Sequence, residues 1–86
     1  MEIEYTLKAK EDIDFLEKNG NQIVLKKIGA LLESIQDTPF EGIGKPGQLK
    51  YEWKGYWSRR INLEHRLIYE VPDDKIIIHS LKGHYD

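Results

Sequence analysis

Apolar and polar residues alternate from Glu2 to Leu7, with Ile3, Tyr5 and Leu7 on one side, and this period of two predicts a half-buried first strand. The spacing then lengthens. Ala9, Ile13 and Leu16 predict a helix over Lys8 to Lys18, closed by Asn19-Gly20 because glycine accepts the left-handed conformation at a helix end. Asn21 is placed to cap a second helix running to about Gln36, whose apolar positions Val24, Ile28, Leu31, Leu32 and Ile35 form one stripe in spite of Gly29. The two helices should form an antiparallel hairpin.

Asp37 to Gln48 holds Pro39, Pro46, Gly42, Gly44 and Gly47 and reads as an ordered connecting loop, the kind of segment that often carries function. Period-two segments return after it. Strands are predicted at Leu49 to Trp53, Tyr56 to Ile61, Arg66 to Val71 and Lys75 to Lys82, with turns at Lys54-Gly55, at Asn62-Leu63-Glu64 and at Pro72-Asp73-Asp74. The order β-α-α-β-β-β-β defines an α+β fold: one twisted, mainly antiparallel sheet with the helix hairpin on a single face and the other face open.

On the strand Tyr56 to Ile61, Trp57 and Ile61 have one parity and Tyr56, Ser58 and Arg60 the other; on the next, Leu67, Tyr69 and Val71 oppose Arg66, Ile68 and Glu70. If the apolar parities face the helices, Arg60 and Arg66 share the open face. Two arginines on one face repel unless an anion or an acidic partner lies between them, so a phosphate or a carboxylate is implied. The bland alternative pairs each arginine with Glu52, Glu64 or Glu70.

At 86 residues the chain is expected to be one domain, 1–86, that buries about 60 to 65% of the surface of its unfolded form. Part of its stability is then expected from a partner or from dimerisation. Cysteine is absent, which excludes disulfides, thiolate metal sites and a cysteine nucleophile, and fits a reducing compartment. The start has no basic leader and Ile76 to Ile78 is too short to span a bilayer, so a cytoplasmic location without membrane attachment is expected. The net charge of -2 argues against a general nucleic-acid binder. Its distribution says more: residues 1–44 hold five Lys against nine Asp and Glu, residues 45–86 eight Lys and Arg against six.

In that basic half Arg59, Arg60 and Arg66 fall on neighbouring strands, and the chain ends in His84-Tyr85-Asp86. Fixed cations suit a phosphate, an imidazole moves protons near neutral pH, and an aromatic ring stacks on a base, a set that points to RNA cleavage. Lys45, Lys50 and Lys54 can track an RNA backbone or merely keep a small sheet soluble. Trp53 and Trp57 read as core or interface residues, and His65 and His79 as structural. The three histidines have no ligand spacing for zinc, and neither a metal nor another cofactor is expected.

Thr38-Pro39-Phe40-Glu41-Gly42, Gly44-Lys45-Pro46, Gly55-Tyr56-Trp57-Ser58-Arg59-Arg60-Ile61, Glu64-His65-Arg66-Leu67-Ile68-Tyr69 and the final His84-Tyr85 together resemble the YoeB-type toxins of the RelE superfamily. The resemblance covers nearly the whole chain and is strongest from Thr38 onward. It implies the toxin of a toxin-antitoxin pair, a ribosome-dependent endoribonuclease that cuts messenger RNA in the ribosomal A site. It also implies a YefM-like antitoxin, a homodimer and a toxin-antitoxin hetero-oligomer.

By the same resemblance Arg66 stabilises the charged phosphorane, His84 is the general acid and Tyr85 stacks on or orients the scissile nucleotide. Lys45, Lys50, Arg59 and Arg60 are the expected RNA-binding residues. One position departs from the pattern. The family has a glutamate as general base directly after the Lys-Pro pair, and here that place holds Gly47. Glu52, Lys50 or a purely electrostatic mechanism on the ribosome then has to activate the 2′-hydroxyl, and weakened cleavage is expected. An idle module that engages an antitoxin, and through it operator-bound repressor, by the same open face is the alternative that Gly47 favours. A relative that poisons gyrase is the third, which the terminal His-Tyr pair disfavours.

Overall fold

Strand β1, Glu2–Tyr5, begins the chain and Thr6 ends it by capping the first helix, its Oγ1 accepting the Ala9 N–H at 3.2 Å. Helix α1 spans Leu7–Lys18, and Gly20, at φ 64°, takes the left-handed turn that reverses the chain. Asn21 Oδ1 then accepts the Val24 N–H at 3.2 Å and starts helix α2, Gln22–Asp37. The expected stripe is real: Val24, Ile28, Leu31 and Ile35 are all buried, while Leu32 packs against the core from its edge. The computed structural model describes residues 1–83.

The remaining strands are β2 (Gly47–Gln48), β3 (Trp57–Arg60), β4 (Arg66–Glu70) and β5 (Lys75–Ser80). They form one five-stranded sheet in the order β1-β5-β4-β3-β2, parallel between β1 and β5 and antiparallel elsewhere. The helices cover one face. Leu16, Val24, Ile28, Leu31 and Ile35 pack there against Ile61, Leu67, Tyr69, Ile76, Ile78 and Leu81. The α+β architecture inferred from the alternating pattern is therefore the observed one.

The β4–β5 turn places Asp73 and Asp74 at φ 49° and 62° and closes with Lys75 N–H donating to the Pro72 carbonyl at 3.1 Å. Two successive left-handed residues make the tight hairpin whose twist matches that of the strands, and aspartate tolerates that conformation better than most residues. The β3–β4 turn is held by Asn62, whose Oδ1 accepts the N–H groups of Glu64 and His65 at 2.9 and 2.7 Å.

The strand expected at Leu49 to Trp53 is corrected. Pairing with β3 is confined to Gly47 and Gln48, followed by the Leu49 N–H bond to the Tyr56 carbonyl at 3.0 Å. Tyr51–Trp53 instead winds into a turn of 3-10 helix, entered through Tyr51 at φ 59°. Leu49, Tyr51 and Trp53 do alternate, but a left-handed residue cannot continue a strand. The open face is accordingly partly roofed: Tyr56 stacks on His79 with ring centroids 4.5 Å apart, and Ile68 beneath is buried.

Candidate functional site

Antiparallel pairing sets Arg59 opposite Leu67 and Arg60 directly opposite Arg66. Residues opposed across a strand pair project to the same face, so the sheet itself brings the Arg60 and Arg66 side chains together. Their side of the sheet is the one the helices leave uncovered. There a cleft of about 350 Å³ opens, lined by Lys45, Gly47, Lys50, Ser58, Arg60 and Arg66 and walled by Tyr51 and Trp53. It presents four cationic side chains and, among the described residues, no carboxylate. Glu52, weighed above as a substitute base, is not part of its lining.

Two of the four non-glycine residues in left-handed backbone among the described residues border this cleft. Lys45 (φ 49°) and Tyr51 (φ 59°) both line it in the left-handed region, which side chains with a Cβ enter only at a cost of about 1–3 kcal/mol. They bracket β2 and so fix how this short edge strand meets β3. Gly47 pairs with Ser58, two residues before Arg60 on β3, so a side chain at position 47 would project to the same face as Ser58, Arg60 and Arg66. No heavy atom stands within 4 Å of where its Cβ would be, and its φ is one that other residues adopt. The place is empty for lack of a side chain, not for lack of room.

Arg59 requires a correction. Its side chain was expected among the RNA contacts, yet it is 0% exposed and lies on the helix side of β3. Nε donates to Tyr69 Oη at 3.2 Å, Nη1 to Ser34 Oγ at 2.6 Å and the Ile43 carbonyl at 3.1 Å, and Nη2 to the carbonyls of Thr38 at 2.7 Å and Glu41 at 2.9 Å. All five donors of the guanidinium are used, and none of these partners is charged. Arg59 therefore binds the protein's own loop instead of an external phosphate. Its parity with Trp57 and Ile61 was the signal for this.

Tyr69 completes that arrangement by donating its hydroxyl to the Pro39 carbonyl at 2.6 Å. Burial pushes its phenol above the ordinary tyrosine value, with the hydrogen bond and the charge of Arg59 pulling the other way. Gly42 and Gly44, at φ 120° and 81°, let the loop pass this close: a Cβ at 42 would meet Ser34 Oγ at 2.5 Å and one at 44 would meet Leu31 Cδ2 at 2.6 Å. The Arg60 N–H donates to the Gly44 carbonyl at 2.7 Å, which ties the loop to the arginine that faces the cleft.

Trp53 and Trp57 part company. Trp57 packs against the core and tilts on Phe40, with ring centroids 4.7 Å apart, as expected of it; Trp53 lines the cleft. His79 is held between Tyr56 and Glu70, the latter's Oε2 lying 3.7 Å from Nε2. His65 takes a role its position in a turn did not reveal, since its Nδ1 accepts the Gly83 N–H at 3.1 Å. His84 and Tyr85, the expected acid and stacking ring, lie outside the described residues. Among the described residues no three of His, Cys, Asp or Glu cluster as metal ligands would.

The family model of the YoeB-like toxins of bacterial type II toxin-antitoxin systems matches residues 5–85. The chain belongs to that family. It is 44% identical to a toxin YoeB of Synechocystis over 85 residues, covering 99% of this chain and 98% of that protein. The toxin in a YoeB-YefM complex from Staphylococcus aureus superposes with a TM-score of 0.88 at 48% identity, and a YoeB dimer from the same organism with 0.90 at 46%; each match covers 99% of this chain and 98% of the other. No helix among the described residues is long and apolar enough to cross a membrane. The cationic cleft is thus the candidate site of a YoeB-family toxin.

Proposed function

We propose that this YoeB-family toxin is an endoribonuclease that cuts messenger RNA in the ribosomal A site, at a rate lowered by Gly47. The observation that carries the reading is the direct opposition of Arg60 and Arg66 in a cleft that also takes in Lys45 and Lys50. Two guanidinium groups held together in this way form a receptor for a phosphate. RNA supplies its own nucleophile, the 2′-hydroxyl, so the protein needs cations for the phosphorane, an acid for the leaving 5′-oxygen and a means of deprotonating the 2′-oxygen. Arg66 takes the first task, with Arg60, Lys45 and Lys50 gripping the flanking backbone. His84 takes the second and Tyr85 orients the base. No cofactor enters the scheme.

Gly47 leaves the third task without a side chain. Its place in register with Ser58 and the open space around it favour Gly47→Glu as the restoring substitution. In a reconstituted translation system with mapped messenger RNA ends, Gly47→Glu should raise cleavage on the order of 10²-fold, the lower end of what a positioned base contributes. Arg66→Ala or His84→Gln should abolish it. An unchanged or lower rate for Gly47→Glu would remove position 47 as the base site. If the native chain and Gly47→Glu both give no new RNA ends, the second reading, an idle antitoxin-binding module, replaces the nuclease.

Either reading uses the same partner chemistry. A YefM-like antitoxin with an acidic, apolar segment that folds on binding would neutralise the cleft and bury its aromatic wall, and the Staphylococcus aureus complex supports such an assembly. The dimer from that organism supports self-association of this chain as well.

A further inference from the structure

The last described residue is held from two sides by one dipeptide. Gly83 N–H donates to His65 Nδ1 at 3.1 Å, and Arg66 N–H donates back to the Gly83 carbonyl at 3.0 Å. The stretch before it is fastened to α1: Leu81 N–H donates to Asp12 Oδ2 at 2.9 Å, and Lys82 Nζ sits 4.0 Å from the centroid of the Phe15 ring. Gly83 itself is at φ 103°, where glycine is freest and the chain would otherwise swing.

We infer that His65 is a positioning residue: its neutral imidazole, with the proton on Nε2, holds the Gly83 amide and so fixes where the chain sets out towards His84 and Tyr85 relative to Arg66. The inference rests on the nuclease reading for its consequence, but the clamp itself is independent of it. A lone pair on Nδ1 is required, and an imidazolium would instead turn an N–H towards the Gly83 N–H. Glu64 lies on the outer side, its Oε2 3.7 Å from His65 Nε2. The other charged groups around the clamp are Arg66 and Lys82, which flank the bonded residues, and Asp12 and Lys8 of α1, which bind Leu81 N–H and the Lys82 carbonyl. Because the residue that clamps Gly83 directly precedes the one assigned to the phosphate, His65-Arg66 ties the end of the described chain to the cleft.

The first test follows the Gly83 amide of the full chain by NMR from pH 8 to pH 5, with His65→Asn alongside. Asparagine offers Oδ1 near the place of Nδ1 and has no proton to gain. The Gly83 resonance should move as the His65 ring titrates in the native chain and hold still in His65→Asn. A resonance that ignores the ring, or one that still moves in His65→Asn and so reports His84, overturns the clamp. The second test measures cleavage by programmed ribosomes in the Gly47→Glu background. His65→Leu should lower kcat roughly 10- to 100-fold with KM for ribosomes unchanged, the effect of a misplaced catalytic group, and His65→Asn should restore it. Full kcat in His65→Leu overturns the inference. Gly83 titrating as expected while no variant cleaves leaves the clamp standing and overturns the nuclease.

Discussion

Arg59 and Arg60 are adjacent, carry the same charge and should fail in opposite ways when replaced by methionine. Arg59→Met keeps most of the buried volume and removes five hydrogen bonds, those to the carbonyls of Thr38, Glu41 and Ile43 and to the oxygens of Ser34 and Tyr69. Each is worth about 1 kcal/mol or more, since the donor is charged, and the gross loss is then about 5–8 kcal/mol. Relief from burying a guanidinium returns several kcal/mol, and the carbonyls nearest the surface regain water, so the net destabilisation is about 3 kcal/mol. A domain of this size unfolds about 4–8 °C lower for each kcal/mol, and the melting temperature should fall by about 12–24 °C. Arg60→Met breaks no such network and removes a like charge from across Arg66, so stability should stay within about 0.5 kcal/mol of native or rise. Affinity for a single-stranded oligonucleotide should show the reverse order, with Arg60→Met weakening it and flattening its log-log salt dependence by about 0.7. Urea denaturation and fluorescence anisotropy measure the two quantities. Arg59→Met as stable as native, or Arg60→Met as tight a binder, would refute the division of labour between the two arginines.

Other perturbations probe the same arrangement. Tyr69→Phe should cost about 1–2 kcal/mol in urea denaturation, because the Pro39 carbonyl loses its donor and Arg59 Nε an acceptor. The raised Tyr69 phenol carries a sign: its contribution is complete below the ordinary tyrosine value near pH 10 and is lost as pH rises through the higher folded value, so native stability should fall on the alkaline side more steeply than that of Tyr69→Phe. Gly44→Ala should destabilise by about 2 kcal/mol or more, as its Cβ would meet Leu31 at a left-handed φ, whereas Gly47→Glu should change stability by less than about 0.5 kcal/mol; thermal melts compare them. Asp12→Ala should cost about 1–3 kcal/mol in the same melts by freeing the buried Leu81 N–H.

Much of the fold was legible because its signals are local. The cap at Asn21, the stripe of α2 and the Pro72-Asp73-Asp74 turn each depend on residues a few positions apart. The co-facing of Arg60 and Arg66 followed from parity alone, and the structure adds the register that no parity fixes. Arg59 was misassigned as an RNA contact although the same parity set it with Trp57 and Ile61, because an arginine is so seldom fully buried. The partners that make its burial tolerable lie 10 to 25 residues away in sequence and leave no local mark. β2 was misplaced for a different reason: the left-handed backbone at Tyr51 is imposed by tertiary context, against the preference of an aromatic residue. The roles of His65 and Asp12 were likewise hidden, since each shows only when the last strand returns beside them.

The cleft gives up stability in a form that its ligand can restore. Opposed arginines carry like charge, Lys45 and Tyr51 sit in strained backbone, and among the described residues no carboxylate lines the cleft. Anything anionic that binds only the folded chain then stabilises it by mass action, about 2.7 kcal/mol at a concentration 100 times its Kd. Against a total of about 5–15 kcal/mol for a folded domain, that is a sizeable share. On the proposed reading an acidic antitoxin segment and an RNA backbone draw on the same cations, so they should compete for the cleft whether or not Gly47 permits turnover. On the proposed nuclease reading, the substitution at position 47 would therefore separate two properties that the charges alone would not: the cations would set what can enter the cleft, and a side chain facing Ser58 would set how fast an RNA that enters is cut.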